Sequence, residues 1–222
     1  MYRPIFYCLS ILLLLPLPSQ AAPAITCHCF RDRAYDASRP ALADPYFLAT
    51  TQNSFFAALF NVDKKTIMMK KQSGYSADDL WVAYRVASGS GLTAEALLAA
   101  LGKKGSWKEV VVPMGLPAKS LGERFAAEIA AGASSARLAT GIVDDELVRH
   151  RLLGAQELAV LRKEWASNQE VILAALIASK SGRPAIGIYR DVKKGSKSWG
   201  AFLDRAKVQP SGMPSEFAAL LK

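Results

Sequence analysis

The sequence has few of the residues that enzymes most often use for proton transfer and metal binding. Among its 222 residues are only two histidines and three cysteines, and one of the cysteines, Cys8, lies in an apolar stretch near the N-terminus. So few candidates disfavour both a hydrolytic triad and a disulfide-dense scaffold. A glycine-rich phosphate loop, a Gly-x-Ser-x-Gly elbow and a His-Glu-x-x-His motif are also missing. The sequence therefore favours a protein that is not an enzyme.

Long apolar runs are missing as well. The longest apolar stretch, Ile5 to Leu17, is about thirteen residues, whereas a helix that spans a bilayer needs roughly 20. Arg3 precedes this stretch, and the small-x-small spacings Ser19-Gln20-Ala21 and Ala22-Pro23-Ala24 follow it, which is typical of a signal peptide. We expect residues 1–24 to be removed and the mature chain, without a transmembrane span, to be periplasmic or secreted. A membrane anchor is the alternative, and the length of the stretch argues against it.

Negative charge is scarce relative to positive charge. The chain has 28 Lys and Arg against 19 Asp and Glu, a formal net charge of +9. This imbalance favours acidic partners such as anionic lipid headgroups, acidic glycans or nucleic acid. The plainer interpretation is a basic surface that is only solvated. Because 51% of the residues are hydrophobic, we expect a globular chain in either case.

Helix-start signals dominate the rest of the sequence. In a capping box, a Ser oxygen accepts the third helical N–H and an acidic residue reaches back to the N–H of the cap. Four such patterns begin at Ser76, Ser106, Ser120 and Ser167. Asp44-Pro45 is another predicted start, with Asp as the N-cap and Pro at the first helical position. Few stretches alternate as strands do, so the sequence predicts a mainly α protein.

An internal repeat relates two stretches of the chain at an offset of about 91 residues. The matched features are Ser76 and Ser167, Lys103-Lys104-Gly105 and Lys193-Lys194-Gly195, Ser106-Trp107 and Ser198-Trp199, and Phe125 and Phe217. We therefore predict two copies of a multi-helix unit packed as a helical bundle. The spacing of the tryptophans and phenylalanines places Trp107, Trp199, Phe125 and Phe217 in the structural core.

The repeat divides the chain into five predicted parts. Each repeat unit is expected to bury its apolar face against its neighbour. The parts are the signal peptide at 1–24, an irregular Cys-His-Cys segment with an aromatic helix at 25–73, unit 1 at 74–132, connecting helices at 133–164 and unit 2 at 165–222. Within 25–73, the aromatic helix that carries Phe47, Phe55 and Phe56 is expected to be buried.

Paired lysines precede the Ser-Trp helix in both units. Lysine beside an aromatic ring suits a phosphate backbone and a stacked base, which makes these side chains candidate anion-binding residues. They are Lys103, Lys104, Lys193 and Lys194. Nucleic acid is nevertheless a disfavoured partner, because export would separate the protein from the chromosome and both tryptophans lie on apolar stripes. The alternative is that the lysines only complement the helix dipole.

Cys27-His28-Cys29 is the one cluster that suggests chemistry. Thiolates and imidazole are soft ligands, so a Cu(I) or Zn²⁺ ion at these residues is the candidate cofactor. A closed four-ligand zinc site would need His150, a carboxylate or a second chain. Alternatively, Cys27 and Cys29 close a disulfide, either a strained one suited to thiol exchange or an inert structural one.

The same segment carries a resemblance. Residues Thr26-Cys-His-Cys-Phe-Arg-Asp-Arg33, followed by Ala43-Asp-Pro-Tyr-Phe-Leu48, resemble an uncharacterised family of exported bacterial proteins with Cys-His-Cys-Phe near the mature N-terminus. The resemblance implies export and implies no activity. Our leading hypothesis is an exported, non-enzymatic helical protein that binds, or acts as a scaffold for, an anionic envelope component or a protein partner. The alternative is a thiol-redox or metal-handling protein that uses the Cys-His-Cys motif.

Overall fold

The fold of this protein is mainly α, as predicted. The computed structural model describes residues 36 and 38–222, and within them the chain forms thirteen α-helices, one short 3-10 helix and no strand. None of these helices has both the length and the apolar character needed to cross a bilayer. Cys27, His28, Cys29 and the predicted signal peptide at 1–24 lie outside the described residues.

The helices are mostly short and follow one another closely. In chain order they are α1 (Asp44–Phe60), α2 (Lys64–Gln72), α3 (Ala77–Ser90), α4 (Ala94–Lys104), α5 (Trp107–Val111), the 3-10 helix (Val112–Met114), α6 (Ala118–Leu121), α7 (Glu123–Ala130), α8 (Ser135–Arg149), α9 (Ala155–Lys163), α10 (Asn168–Ser181), α11 (Ala185–Lys193), α12 (Trp199–Arg205) and α13 (Met213–Leu220).

Three of the four predicted capping serines do begin helices. Ser76, Ser106 and Ser167 each accept the N–H of the residue three positions later, and at Ser167 the acid also reaches back to complete the box. Ser120 is different, because it lies inside α6 and its hydroxyl donates to the Pro117 carbonyl. The next helix begins instead after Gly122, whose φ of +93° turns the chain sharply.

Asp44 caps a distant helix instead of its own. It is the first residue of α1, whose N-cap position is Ala43. Its carboxylate accepts the N–H groups of Trp199 (3.1 Å) and Gly200 (2.9 Å) at the start of α12. Burial raises the pKa of Asp44, and these two hydrogen bonds oppose the rise. The prediction of a local cap was wrong because the start of α12 packs against α1 and brings unpaired N–H groups within reach.

The core is built around α1, α3 and α10. The α10 residues 171–177 are fully buried, as expected for a helix without a polar face. The residues predicted as structural core lie in this same hydrophobic cluster, with exposed fractions of 2% for Trp107, 2% for Trp199, 4% for Phe125 and 0% for Phe217. One continuous core therefore serves the whole described chain.

Helix bounds recur along the chain at the same offset as the sequence matches. The helices α1 to α4 begin 91 residues before α8 to α11, respectively. A polar contact recurs as well: Lys71 Nζ lies 2.6 Å from Asn53 Oδ1, and Arg162 Nη2 lies 2.6 Å from Asp144 Oδ1. The duplication stays a prediction, but these bounds suggest longer units, of residues 44–131 and 135–222. We call these stretches the first and second halves.

The two halves exchange their first helices. From the first half, α1 packs on α10 and α13 of the second, while from the second half α8 packs on α3 of the first. Each half thus completes the core of the other. Because neither half can bury its apolar faces without the other, we expect the described chain to fold as one cooperative unit.

Candidate functional site

The predicted anion-binding lysines lie at helix ends and are all exposed. Lys103 and Lys104 end α4, while Lys193 ends α11 and Lys194 caps it. Lys104 Nζ donates to the Glu109 carbonyl at 3.0 Å. Lys193 Nζ lies 3.1 Å from Glu170 Oε1, which raises the pKa of Lys193. One lysine of each pair is therefore engaged locally.

A cationic groove lies elsewhere, where the end of α10 and the start of α11 meet α12. Its volume is about 320 Å³. Seven residues line it: Lys180, Ser181, Arg183, Phe202, Arg205, Ala206 and Lys207. Four of the seven are cations, and none is an acid. This cationic groove is the strongest candidate for a functional site.

Two helix ends and one tight turn position the cations. Gly182, with φ of +67°, ends α10 and is followed by Arg183 and then Pro184, which begins α11. At the end of α12, Lys207 takes up the left-handed conformation with φ of +55°. The next residue, Val208, is buried and donates its N–H to the Leu203 carbonyl, which closes a Schellman-type turn. The turns therefore fix the backbone of Arg183 and of Lys207, from which both side chains extend.

The positive charge of the groove is only partly neutralised. Lys180 pairs with Glu216, and Arg183 Nη2 lies 2.9 Å from Asp191 Oδ2. Arg205 and Lys207 are exposed and have no acidic partner in the part of the chain that the structure describes. Two full positive charges are thus available to a ligand.

An aromatic ring forms the wall between the cations. The guanidinium carbon of Arg183 lies 5.1 Å from the centre of the Phe202 ring, and Lys197 Nζ lies 5.3 Å from it. Both distances fall within the range of cation–π attraction. The lining hydroxyl, that of Ser181, is already donated to the Ile177 carbonyl at 2.7 Å. The lining residues therefore suit the binding of an anion, and they provide no general base.

The groove could not be recognised in the sequence, because its cations come from two separate stretches of the chain. Lys180 and Arg183 lie in one stretch, Arg205 and Lys207 in the other, and the two meet only when α10 and α12 pack together. A signal was nonetheless present in the repeat. The positions that correspond to these four cations in the first half are Gly89, Leu92, Pro113 and Gly115. Cations that are present in the second copy and absent from the first would have indicated this groove.

A second cavity, of about 390 Å³, adjoins Trp107 and Asp79. Asp79 Oδ1 accepts from Trp107 Nε1 at 3.0 Å and from Ser135 Oγ at 2.6 Å. Its other oxygen accepts from Ser76 Oγ at 2.6 Å. The carboxylate thus ties together α3, α5 and α8, and we assign Asp79 a structural role.

A buried carboxylate, Glu146, lies between α3 and α8. It is 3% exposed, and its Oε1 lies 3.0 Å from Arg149 Nη1 and 3.9 Å from Arg85 Nη1. His150 Nε2 lies 3.6 Å from the other oxygen, Oε2, which has no hydrogen-bond partner among the described residues. The buried charge is compensated by Arg149 and Arg85, and the carboxylate is closed off from solvent, so this cluster is not an open site.

The Cys-His-Cys motif lies outside the described residues. A metal ion at Cys27, His28 and Cys29, and a disulfide between the two cysteines, therefore stay predictions. Among the residues that are described, His150 included, no three His, Cys, Asp or Glu side chains are grouped to hold a metal ion.

Comparison with known proteins adds no assignment: no family model, curated protein or solved structure matches the chain. The resemblance to exported Cys-His-Cys-Phe proteins therefore stays a prediction. A function for the cationic groove has to be argued from the side chains that line it.

Proposed function

We propose that this is an exported, non-enzymatic binding protein that holds an anionic component of the bacterial envelope in its cationic groove. The observation that carries the proposal is the convergence of four cations on one groove, with Arg205 and Lys207 left without acidic partners in the described chain. Unpaired cations that face one cavity attract anions far more effectively than the same charges spread over a surface.

The groove suits a compact anionic group. Guanidinium groups bind phosphate and carboxylate oxygens through paired N–H donors, and a lysine adds a mobile point charge. Arg183 is held in place by Asp191 and by the Phe202 ring, so little conformational freedom is lost when it binds. A volume of about 320 Å³ lies at the small end of ligand sites. These features support a phosphorylated headgroup, or one charged unit of a longer polymer, as the ligand.

Binding of inorganic tripolyphosphate, measured by calorimetry at low salt, tests the proposal. The double variant Arg205→Glu/Lys207→Glu should weaken binding at least tenfold, because it reverses both unpaired charges of the groove. The matched control is Lys103→Glu/Lys104→Glu, which changes the net charge equally at the lysines that the sequence predicted. It should weaken binding about twofold, through the overall field alone.

Two results would contradict this assignment. Equal losses in the two variants would mean that tripolyphosphate follows net charge and occupies no particular site. A larger loss in the Lys103/Lys104 variant would move the binding residues to the lysine pairs. Raising the salt concentration should weaken binding by the wild-type protein steeply, and binding that is insensitive to salt would exclude an electrostatic site.

A further inference from the structure

Trp165 is the most exposed large apolar side chain among the described residues. It is 91% exposed, whereas Trp81, Trp107 and Trp199 are 1–2% exposed. A tryptophan normally buries a large area and dominates core and interface energetics. Exposing the whole ring to water is unfavourable, so its position calls for a physical explanation.

The backbone at Trp165 is also unusual for a tryptophan. Its φ of +65° is left-handed, and it closes the end of α9 in a Schellman turn. In this turn the Trp165 N–H donates to the Arg162 carbonyl, and the Ala166 N–H donates to the Leu161 carbonyl, both at 3.0 Å. Glycine is the usual residue here, since it alone has no Cβ to clash.

The corresponding turn in the first half does use glycine. Gly74, 91 residues earlier, has φ of +96°, and the N–H groups of Gly74 and Tyr75 close the end of α2 with the same pair of hydrogen bonds. The local fold therefore does not require a tryptophan at position 165. A residue that strains its backbone and exposes an indole is better explained by an external contact than by folding.

Basic residues lie beside the turn that carries Trp165. Lys163 is exposed two residues before it. Arg190 pairs with Glu164, the residue next to Trp165, and Lys194 also acts on that carboxylate, so that the pKa of Glu164 is lowered. Tyr189 Oη donates to the Glu164 carbonyl at 2.8 Å, which fastens this turn to α11. We call Lys163, Trp165, Arg190 and Lys194 the Trp165 patch.

We propose that the Trp165 patch seats the protein on the surface of an anionic phospholipid bilayer. Indole rings favour the headgroup region, because the ring is apolar while its N–H needs a polar partner. Nearby lysines add attraction to anionic headgroups. One aromatic ring among cations, without a broad apolar area, fits a lipid surface better than a protein partner, whose interface core is depleted in charge. Contact through one ring and a few charges would be weak and reversible.

The Trp165 patch is separate from the cationic groove. The groove adjoins the N-terminal end of α11 at Arg183, whereas the patch includes Arg190 in the last turn of α11 and Lys194, which caps it. The proposal does not depend on the groove, so either one could fail alone.

Intrinsic fluorescence gives a specific test, because the other three tryptophans are buried. Vesicles of phosphatidylglycerol should shift the emission of the full chain to shorter wavelength and protect it from acrylamide, whereas vesicles of phosphatidylcholine should do neither. Trp165→Gly should reduce co-sedimentation with phosphatidylglycerol vesicles at least fivefold. It should also raise the midpoint of chemical denaturation, since glycine suits the left-handed turn. A merely structural role for Trp165 predicts the opposite change in stability.

Two further variants complete the test. Lys163→Gln/Lys194→Gln should weaken vesicle binding severalfold, while the matched pair Lys103→Gln/Lys104→Gln should change it less than twofold. Trp165→Gly that sediments like the wild type, or equal binding to both lipids, would overturn the proposal. So would loss of vesicle binding in Arg205→Glu/Lys207→Glu with binding kept in Trp165→Gly, since the lipid would then contact the groove.

Discussion

The end of α3 and the end of α10 occupy corresponding places in the two halves, yet one is covered and the other is open. In the first half α6 lies against α3, so close that a Cβ on Gly89 would come 2.9 Å from the Ser120 carbonyl oxygen. In the second half the position that corresponds to Gly89 is Lys180, which lines the cationic groove. A similar arrangement of helices thus forms a packed junction in the first half and a binding surface in the second.

The connecting segments account for this difference. Residues 112–122 join α5 to α7 and include α6, whereas the shorter segment 206–212 joins α12 to α13 and contains no helix. In the first half, Arg85 Nη2 donates to the Leu121 carbonyl at 2.8 Å and thereby holds α6 in place. The corresponding residue in the second half is Leu176, which is fully buried. Without a segment to cover it, the end of α10 stays accessible, and the cations gather there.

We expect the largest effect on stability from replacing Arg85, the residue that holds α6 in place. Arg85→Leu deletes the hydrogen bond to Leu121 and takes one cation away from the buried Glu146. We expect a loss of roughly 2–4 kcal/mol in the free energy of unfolding, because the Leu121 carbonyl loses a charged donor and the buried Glu146 loses one of its two arginine neighbours, keeping Arg149. Urea denaturation followed by circular dichroism measures it.

A double variant provides the control for that experiment. The counterpart of Arg85 in the second half is Leu176, and the counterpart of Glu146 in the first half is Phe55; both are fully buried. Arg85→Leu/Glu146→Phe should therefore be less destabilised than Arg85→Leu alone. If the two effects simply add, the two side chains are not coupled.

Adding a methyl group at Gly89 should have a smaller effect on stability, and it tests how closely α6 packs on α3. Glycine to alanine inside a helix normally stabilises it by up to about 1 kcal/mol. Here we expect Gly89→Ala to destabilise the protein by about 1–3 kcal/mol, because the Cβ would push against the backbone of Ser120. Gly102→Ala in α4, where a Cβ meets nothing within 4 Å, is the matched control and should be neutral or stabilising. A stabilised Gly89→Ala would mean that α6 does not press on α3.

The smallest expected effect concerns Lys207, which corresponds to Gly115. Both residues have positive φ, of +55° and +61°. Lys207→Gly should raise the free energy of unfolding by about 0.5–1 kcal/mol and weaken tripolyphosphate binding severalfold, since it relieves the turn and removes a groove cation. The reverse change, Gly115→Lys, should lower stability by about 1 kcal/mol without creating a site. Unchanged binding in Lys207→Gly would remove Lys207 from the groove's ligand set.

Much of the local structure could be predicted from the sequence, because helix caps act over three or four residues. Ser76, Ser106 and Ser167 begin helices as predicted. Asp44 could not be assigned in this way, because its partners at the start of α12 lie at the other end of the chain. The lysine pairs are adjacent in the sequence and form a visible motif, whereas the cations of the groove lie in two separate stretches, 180–183 and 205–207, and form none.

The sequence by itself determined the helical class, most helix starts and the apolar stripes that carry Trp107 and Trp199. These follow from hydrogen bonds and periodicity within one or two helical turns. Only the tertiary structure decided that α1 and α8 exchange between halves, that Arg205 and Lys207 meet Lys180, and that Trp165 faces water. Such outcomes depend on which apolar faces bury most area together, and that is a property of the folded chain as a whole.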